Sequence, residues 1–309
     1  MTGYQMSSVR LGLALAVLAA AWAGGDAGHA QTLHRFGQSV QPVYEGWSQN
    51  PDGSFTMWFG YLNRNYEEEP HVPAGADNGF EPGPADRGQP THFYPRRQSF
   101  VFGVRVPADW GDRNLVWTVA VNGTTYQALG SLWDSWVLDE GVWRANRGAG
   151  LSGRYGDEAL TNQPPRVAIV GDAQVSATVG SALALTATAS DDGLPGPQDR
   201  RPPGGYDPLP NDLPTIGGRR SGAGSGIGGP TDQNVVKVRN AYETGLAVTW
   251  LHHRGPGRVT FSPMVTPLQP VDGQATTAVQ FSEPGTYTIR AAADDGSYIS
   301  TAEVTVVVK

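Results

Sequence analysis

Two pairs of aspartates are the residues of this chain best suited to do chemistry. Asp191-Asp192 precede Gly193, and Asp294-Asp295 precede Gly296. Carboxylates brought close repel one another unless they are protonated, spread apart or neutralised by a cation. The cation that fits them is Ca²⁺, which takes about six to eight hard oxygen ligands, backbone carbonyls included. Asp191, Asp192, Asp294 and Asp295 are therefore read as metal ligands, with Asp157, Glu158 and Asn162 near enough in a linker to join them. Ca²⁺ is the one cofactor expected. The competing reading is that Asp-Asp-Gly is turn chemistry, with each carboxylate bonding nearby amides.

No other pattern carries a catalytic expectation. Cysteine is absent, which removes disulfides, thiolate nucleophiles and Cys-ligated zinc. Gly224, Gly226 and Gly229 match G-x-G-x-x-G but follow no strand and open no helix. His252-His253 sit at a strand end, where neighbours point to opposite faces and chelate one metal poorly. His71 and His92 flank a loop without an H-E-x-x-H. There is no G-x-S-x-G, and no carboxylate spacing marks a glycosidase. Glu67, Glu68 and Glu69 either pair with Arg96 and Arg97 or form a solvated run. The chain is read as non-enzymatic. Aromatic residues are the second signal. Seven of nine Trp, at 47, 58, 110, 117, 133, 136 and 143, fall in the first unit, residues 40–145. They either fill a small core or stack on sugar rings and anchor a partner.

These residues need elements to position them. The 309 residues include 41 Gly and 24 Pro, which disfavours helical bundles and suits short strands with many turns. Strands are expected at 43–47, 54–62, 100–106, 115–121 and 124–129. Asn122-Gly123 marks a two-residue hairpin between the last two. Residues 64–95 read as an irregular connection. In the second half, strands are expected at 166–170, 181–189, 246–251, 258–261, 276–281, 286–293 and 300–308. From Gly193 to Pro230, 11 of 38 residues are Gly and 8 are Pro, too little apolar surface to form a core element. Without the insertion 194–244, residues 164–309 leave 95, close to the roughly 100 of one immunoglobulin-like sandwich. Trp250 then falls on the third strand, Tyr287 at a tyrosine corner, and Ile289 and Leu185 where antibody domains place cysteines. Both Asp pairs end strands at the same pole of such a sandwich.

Leu183–Gly193 (LALTATASDDG) and Phe281–Gly296 (FSEPGTYTIRAAADDG), with Asn162–Val170, resemble the PKD-like and cadherin-like immunoglobulin-fold repeats of bacterial surface and exported proteins. The resemblance covers most of 162–309 outside the insertion. It implies a fold and, in cadherin-like repeats, Ca²⁺ at domain junctions, although their full linker motif is missing. The first half resembles the N-terminal part of secreted bacterial proteins with the same two-part layout. That resemblance implies no activity.

The fold expected is all-β: two β-sandwich domains, the C-terminal one immunoglobulin-like with a long Gly/Pro-rich insertion. The divisions are a signal peptide at 1–30, an N-terminal sandwich at 31–148, a linker at 149–163 and the second sandwich at 164–309. Arg10, the apolar run Leu11–Ala23 and small residues at Gly28 and Ala30 carry the signal-peptide reading. No later stretch reaches 18 apolar residues, so no membrane span is expected after cleavage. Net charge is −7, which offers no basic field for nucleic acid. The expected role is exported binding, adhesion or scaffolding at the bacterial cell envelope, periplasmic or extracellular, with a protein or glycan partner. The alternatives are a carbohydrate-binding module using the first-half aromatics, and a hydrolase with an unrecognised carboxylate site.

Overall fold

A computed structural model describes residues 34–139, 142, 161–194, 245–268, 272–295 and 298–309. The expected signal peptide, residues 149–160 of the linker, Trp143, Asp157, Glu158 and all but Leu194 of the insertion lie outside these. Residues 34–309 form one compact unit that holds both sandwiches.

The first sandwich packs two three-stranded sheets. One has the order β1 (Val40–Gln49), β2 (Phe55–Asn63), β4 (Arg96–Val106), and the other β3 (Asn78–Glu81), β5 (Leu115–Val121), β6 (Thr124–Gly130). Inward residues alternate along β1 and β5, as a half-buried strand requires. The core is aromatic. Trp117 is stacked on Phe80 at 5.8 Å and meets Phe102 edge-on at 5.0 Å. Its indole N–H donates to Asn78 Oδ1 at 2.9 Å, so the buried nitrogen is satisfied. Asn122 and Gly123 take φ of 52° and 75°, and Val121 pairs with Thr124: the expected hairpin. Residues 64–95 are less irregular than expected, since they supply β3 and a bridge joining His71 to His92. Four residues, one of them Gly79, carry too little alternation to be seen as a strand.

The second sandwich is immunoglobulin-like. One sheet runs β11 (Val259–Ser262), β13 (Asp272–Phe281), β9 (Leu183–Ser190), β7 (Arg166–Ile169). The other runs β12 (Val265–Pro267), β10 (Ala247–Arg254), β14 (Gly285–Asp294), β15 (Ile299–Val308), β8 (Gln174–Ala177). The first strand is split. β7 pairs antiparallel with β9, and β8 crosses to pair parallel with β15. Leu185, Trp250 and Ile289 meet in one core cluster. The Tyr287 hydroxyl donates to the Glu283 carbonyl at 2.8 Å, the bond of a tyrosine corner.

Gly255 ends β10 at φ +129°, a conformation that L side chains rarely adopt, and a Cβ there would run into the Tyr287 ring. Gly255→Ala is therefore expected to destabilise the protein by about 2–4 kcal/mol, strain and overpacking together. Urea unfolding followed by tryptophan fluorescence measures it.

Candidate functional site

The aspartates expected to bind a metal fall in two places. Asp191 and Asp192 close β9 and organise one turn. Asp191 Oδ2 accepts from the Gly193 amide at 2.9 Å, and Asp192 Oδ1 from the Leu194 amide at 2.9 Å. Asp192 Oδ2 accepts from the Gln163 amide at 2.9 Å, which ties the linker to the turn. Burial, with Asp192 beside it, pushes the Asp191 carboxyl up to about 6. Asp294 and Asp295 end β14 on the other sheet, both buried. Asp295 Oδ1 accepts from the Tyr298 amide at 2.6 Å. Asn162, next to Gln163, is buried with neither side-chain polar atom hydrogen-bonded, and Asp191 Oδ1 is likewise unbonded. Among the described residues, no three His, Cys, Asp or Glu side chains form a group able to hold a metal.

The densest gathering of ionisable side chains lies elsewhere, where the first sandwich meets β10. β12 pairs with β10 only over Ala247–Thr249. Beyond that, residues 86–94 cover the edge. The His252 amide donates to Tyr94 Oη at 2.8 Å, and the Thr91 amide to the His253 carbonyl at 3.1 Å. The Gly255 amide donates to Thr91 Oγ1 at 3.1 Å. A bulge between His252 and Arg254 in the β10–β14 ladder frees these groups from regular pairing. Arg254 Nε donates to the Gln89 carbonyl at 2.7 Å, and its guanidinium grips Asp86 at 2.5 and 3.1 Å. Leu251 and Ala292 pack with Tyr94 on the outer face of the sheet.

Three histidines and an arginine fill the joint. His92 stacks on His252 at 4.3 Å between ring centres, and its Nε2 lies 3.1 Å from Glu69 Oε2. His253 Nε2 lies 3.0 Å from both the Gly88 carbonyl and Arg290 Nη2. Arg290 also donates to Glu303 at 2.9 and 2.6 Å and to the Val101 carbonyl at 2.5 Å. Burial pushes His252 down to about 2, with His92 and His71 adding to it; the peptide groups of Gly255 and Arg254 oppose this and lose. Burial, then Arg290, holds His253 well below its ordinary range. Both rings are neutral at pH 7. The small cavity among them, about 30 Å³, has room for a water.

Neither ring pair nor joint was legible as a site in the sequence. One signal was there. Leu246–Leu251 (LAVTWL) is a nearly continuous apolar run, whereas a strand with one face in water alternates. Elsewhere the Glu run does not pair with Arg96 or Arg97: Glu67 takes Arg35, Glu69 takes His92, and Arg97 takes Glu45 at 2.8 Å. The tryptophans divide. Trp117 and Trp110 are core, while Trp133 is 64% exposed and Trp136 43% exposed, beside Val137. The Trp136 ring lies 5.4 Å from that of Tyr44, and Trp47 Nε1 donates to the Trp133 carbonyl at 2.9 Å.

Tyr94→Phe removes the acceptor of the His252 amide and strands a buried donor. It is expected to cost about 1–3 kcal/mol, read by urea unfolding. A silent variant would mean that the amide finds another partner.

No protein-family model matches the chain, and no curated protein matches it. Among solved structures, it is similar to the N-terminal eight Ig domains of Down Syndrome Cell Adhesion Molecule, at TM-score 0.23 and 8% identity. That match covers 87% of this chain and 27% of the other, so the chain spans about a quarter of that length. The D00-D0 domain of intimin matches at TM-score 0.23 and 10% identity, covering 87% of this chain and 100% of that one. Fibronectin(III)-like modules of Clostridium thermocellum CbhA match at TM-score 0.21 and 12% identity, covering 88% and 94%. The immunoglobulin-like assignment rests on the strand order, the split first strand and the tyrosine corner described above.

Proposed function

We propose that the protein is an exported, non-enzymatic binding or scaffolding component of the bacterial cell envelope whose two sandwiches act as one stiff body. The supporting observation is where the reactive side chains are spent. His92, His252, His253, Tyr94 and Arg290 face one another inside the joint, around a cavity far below the roughly 300 Å³ of a ligand pocket. The larger surface hollow, about 380 Å³, lies over Arg166, Ser190 and Asp272, and its lining has no histidine, cysteine or lysine.

The surface assigned to the partner is the exposed pair Trp133 and Trp136 with Val137. Large aromatic rings with little conformational freedom make good anchors for a protein or for the flat face of a sugar. The double variant Trp133→Ala/Trp136→Ala is expected to abolish capture of the partner from a native envelope fraction or on a glycan array. Its melting temperature should move little, since surface changes cost about 0.5 kcal/mol or less and Trp136 alone adds its contact with Tyr44. Unchanged binding would remove this surface from the proposal.

A second reading keeps Asp191, Asp192, Asp294 and Asp295 as a Ca²⁺ site. The observation favouring it is Asn162, whose buried amide lacks a partner beside the Asp192 turn. An amide oxygen is a normal Ca²⁺ ligand. Ca²⁺ at one hundred times its Kd would add about 2.7 kcal/mol, or roughly 5–10 °C of melting temperature. Melts in millimolar CaCl₂ and in EDTA are expected to differ by that amount. Identical melts with no heat of binding would reduce the aspartates to turn residues.

A further inference from the structure

We infer that the joint between the two sandwiches is an acid-released latch: residues 86–101 hold β10 and β14 while His252 and His253 are neutral, and let go when these two imidazoles take up protons.

The geometry makes each proton costly. His253 Nε2 has two neighbours at 3.0 Å that make opposite demands. The Arg290 guanidinium can only donate, and the Gly88 carbonyl can only accept. A neutral ring can accept from Arg290. A protonated ring must donate at Nε2, which breaks that bond and sets two buried cations against each other. His92 and His252 are 4.3 Å apart and nearly parallel, tilted by 25°. A proton on His252 is therefore held against a second imidazole rather than a carboxylate, in a medium that screens poorly.

The surrounding groups do not relieve this. From the covering side come Glu69, His71, Asp86, Arg87, Tyr94 and, on β2, Tyr61. From the second sandwich come Arg254 on β10, Tyr287 and Arg290 on β14, Glu303 on β15 and Glu283. Glu303 is already bonded to Arg290 and Asp86 to Arg254. Glu69 Oε2 lies 3.1 Å from His92 Nε2, on the covering side of the ring stack. His71 is itself held down by burial and by His92.

The direction follows from linkage. In an opened joint the rings regain their ordinary range near 6.5, whereas in the closed joint His252 and His253 stay far below it. The open form therefore binds more protons below about pH 6.5, and acid favours it. Between pH 7.5 and 5.0 each ring multiplies the opening equilibrium by about 30, so the pair gives about 10³. His252 meets the second core at Tyr287, ring centres 5.5 Å apart, and the two core clusters themselves hold no group that takes up a proton in this range.

The test is hydrogen exchange of the full chain between pH 7.5 and 5.0, corrected for the intrinsic pH dependence of amide exchange. The amides of Thr91, His252 and Gly255, which bond across the joint, are expected to lose about 10³ in protection, while those of β5 and β9 keep theirs. In His252→Gln/His253→Gln the pH dependence of the joint should disappear. Joint protection constant with pH, or lost in step with β5 and β9, would overturn the latch. A double variant that folds and keeps the wild-type pH profile would overturn it as well. If the double variant does not fold, the wild-type comparison of joint against β5 and β9 decides alone.

Discussion

Beyond Thr249, β10 carries peptide groups that no strand of its own sheet covers, and an unpaired edge in contact with apolar surface is not stable. The first sandwich supplies the missing partners. Tyr94 and Thr91 take the place of a sixth strand, using two side-chain hydroxyls and one backbone amide where a strand would use a ladder, and the Gln89 carbonyl takes the Arg254 side chain. Much else follows from that constraint. The outer face of the sheet must be apolar, hence Leu251 and Ala292. The covering segment must be held in register, hence the Asn78 network, in which one amide reaches the carbonyls of Val72 and Pro90 while the Trp117 indole donates to its oxygen. A core residue of the first sandwich thus sets the position of a loop that closes the second.

The choice of polar rather than apolar contacts in the joint has a physical consequence. Buried ion pairs add little net stability over a hydrophobic substitute, because desolvation opposes the Coulomb gain. They do make the wrong arrangement expensive. Arg290 reaches Glu303, Val101 and His253 at once, and any slip of the covering segment leaves a buried guanidinium short of acceptors. Orientation between the sandwiches is therefore fixed more firmly than a flat apolar contact of similar size would fix it.

How far this was legible from the sequence varies with the range of the interaction. Asn122-Gly123, the tyrosine corner and the meeting of Leu185, Trp250 and Ile289 depend on local turn chemistry or on a repeating sandwich pattern, and each stands where the residues put it. The short strands β3, β8 and β12 have three or four residues, below the length at which alternation is informative. The joint was illegible for a different reason. His92 and His252 are 160 positions apart, and nothing local says that a loop histidine will stack on a strand histidine. The apolar run Leu246–Leu251 hinted that something covered β10, without saying what. The aspartates show the converse: Asp191 and Asp192 make the turn bonds that Asx residues make anywhere, so their pattern specifies a turn as readily as a ligand set.

Solubility separates a joint of this kind from a core. If Leu251, Ala292 and Tyr94 were the centre of a large apolar interface, parting the sandwiches would expose a patch prone to aggregate. They are three residues, with Met264 and Ile299 packed against them, in a joint that also holds Arg254, Asp86, His253, Arg290 and Glu303. On separation these groups meet water, which solvates charges better than the joint does. The same polar groups that fix the closed arrangement make the open one tolerable, and protonated histidines add to its hydration. A contact that is specific when closed and soluble when open is what a reversible rearrangement between two folded bodies requires.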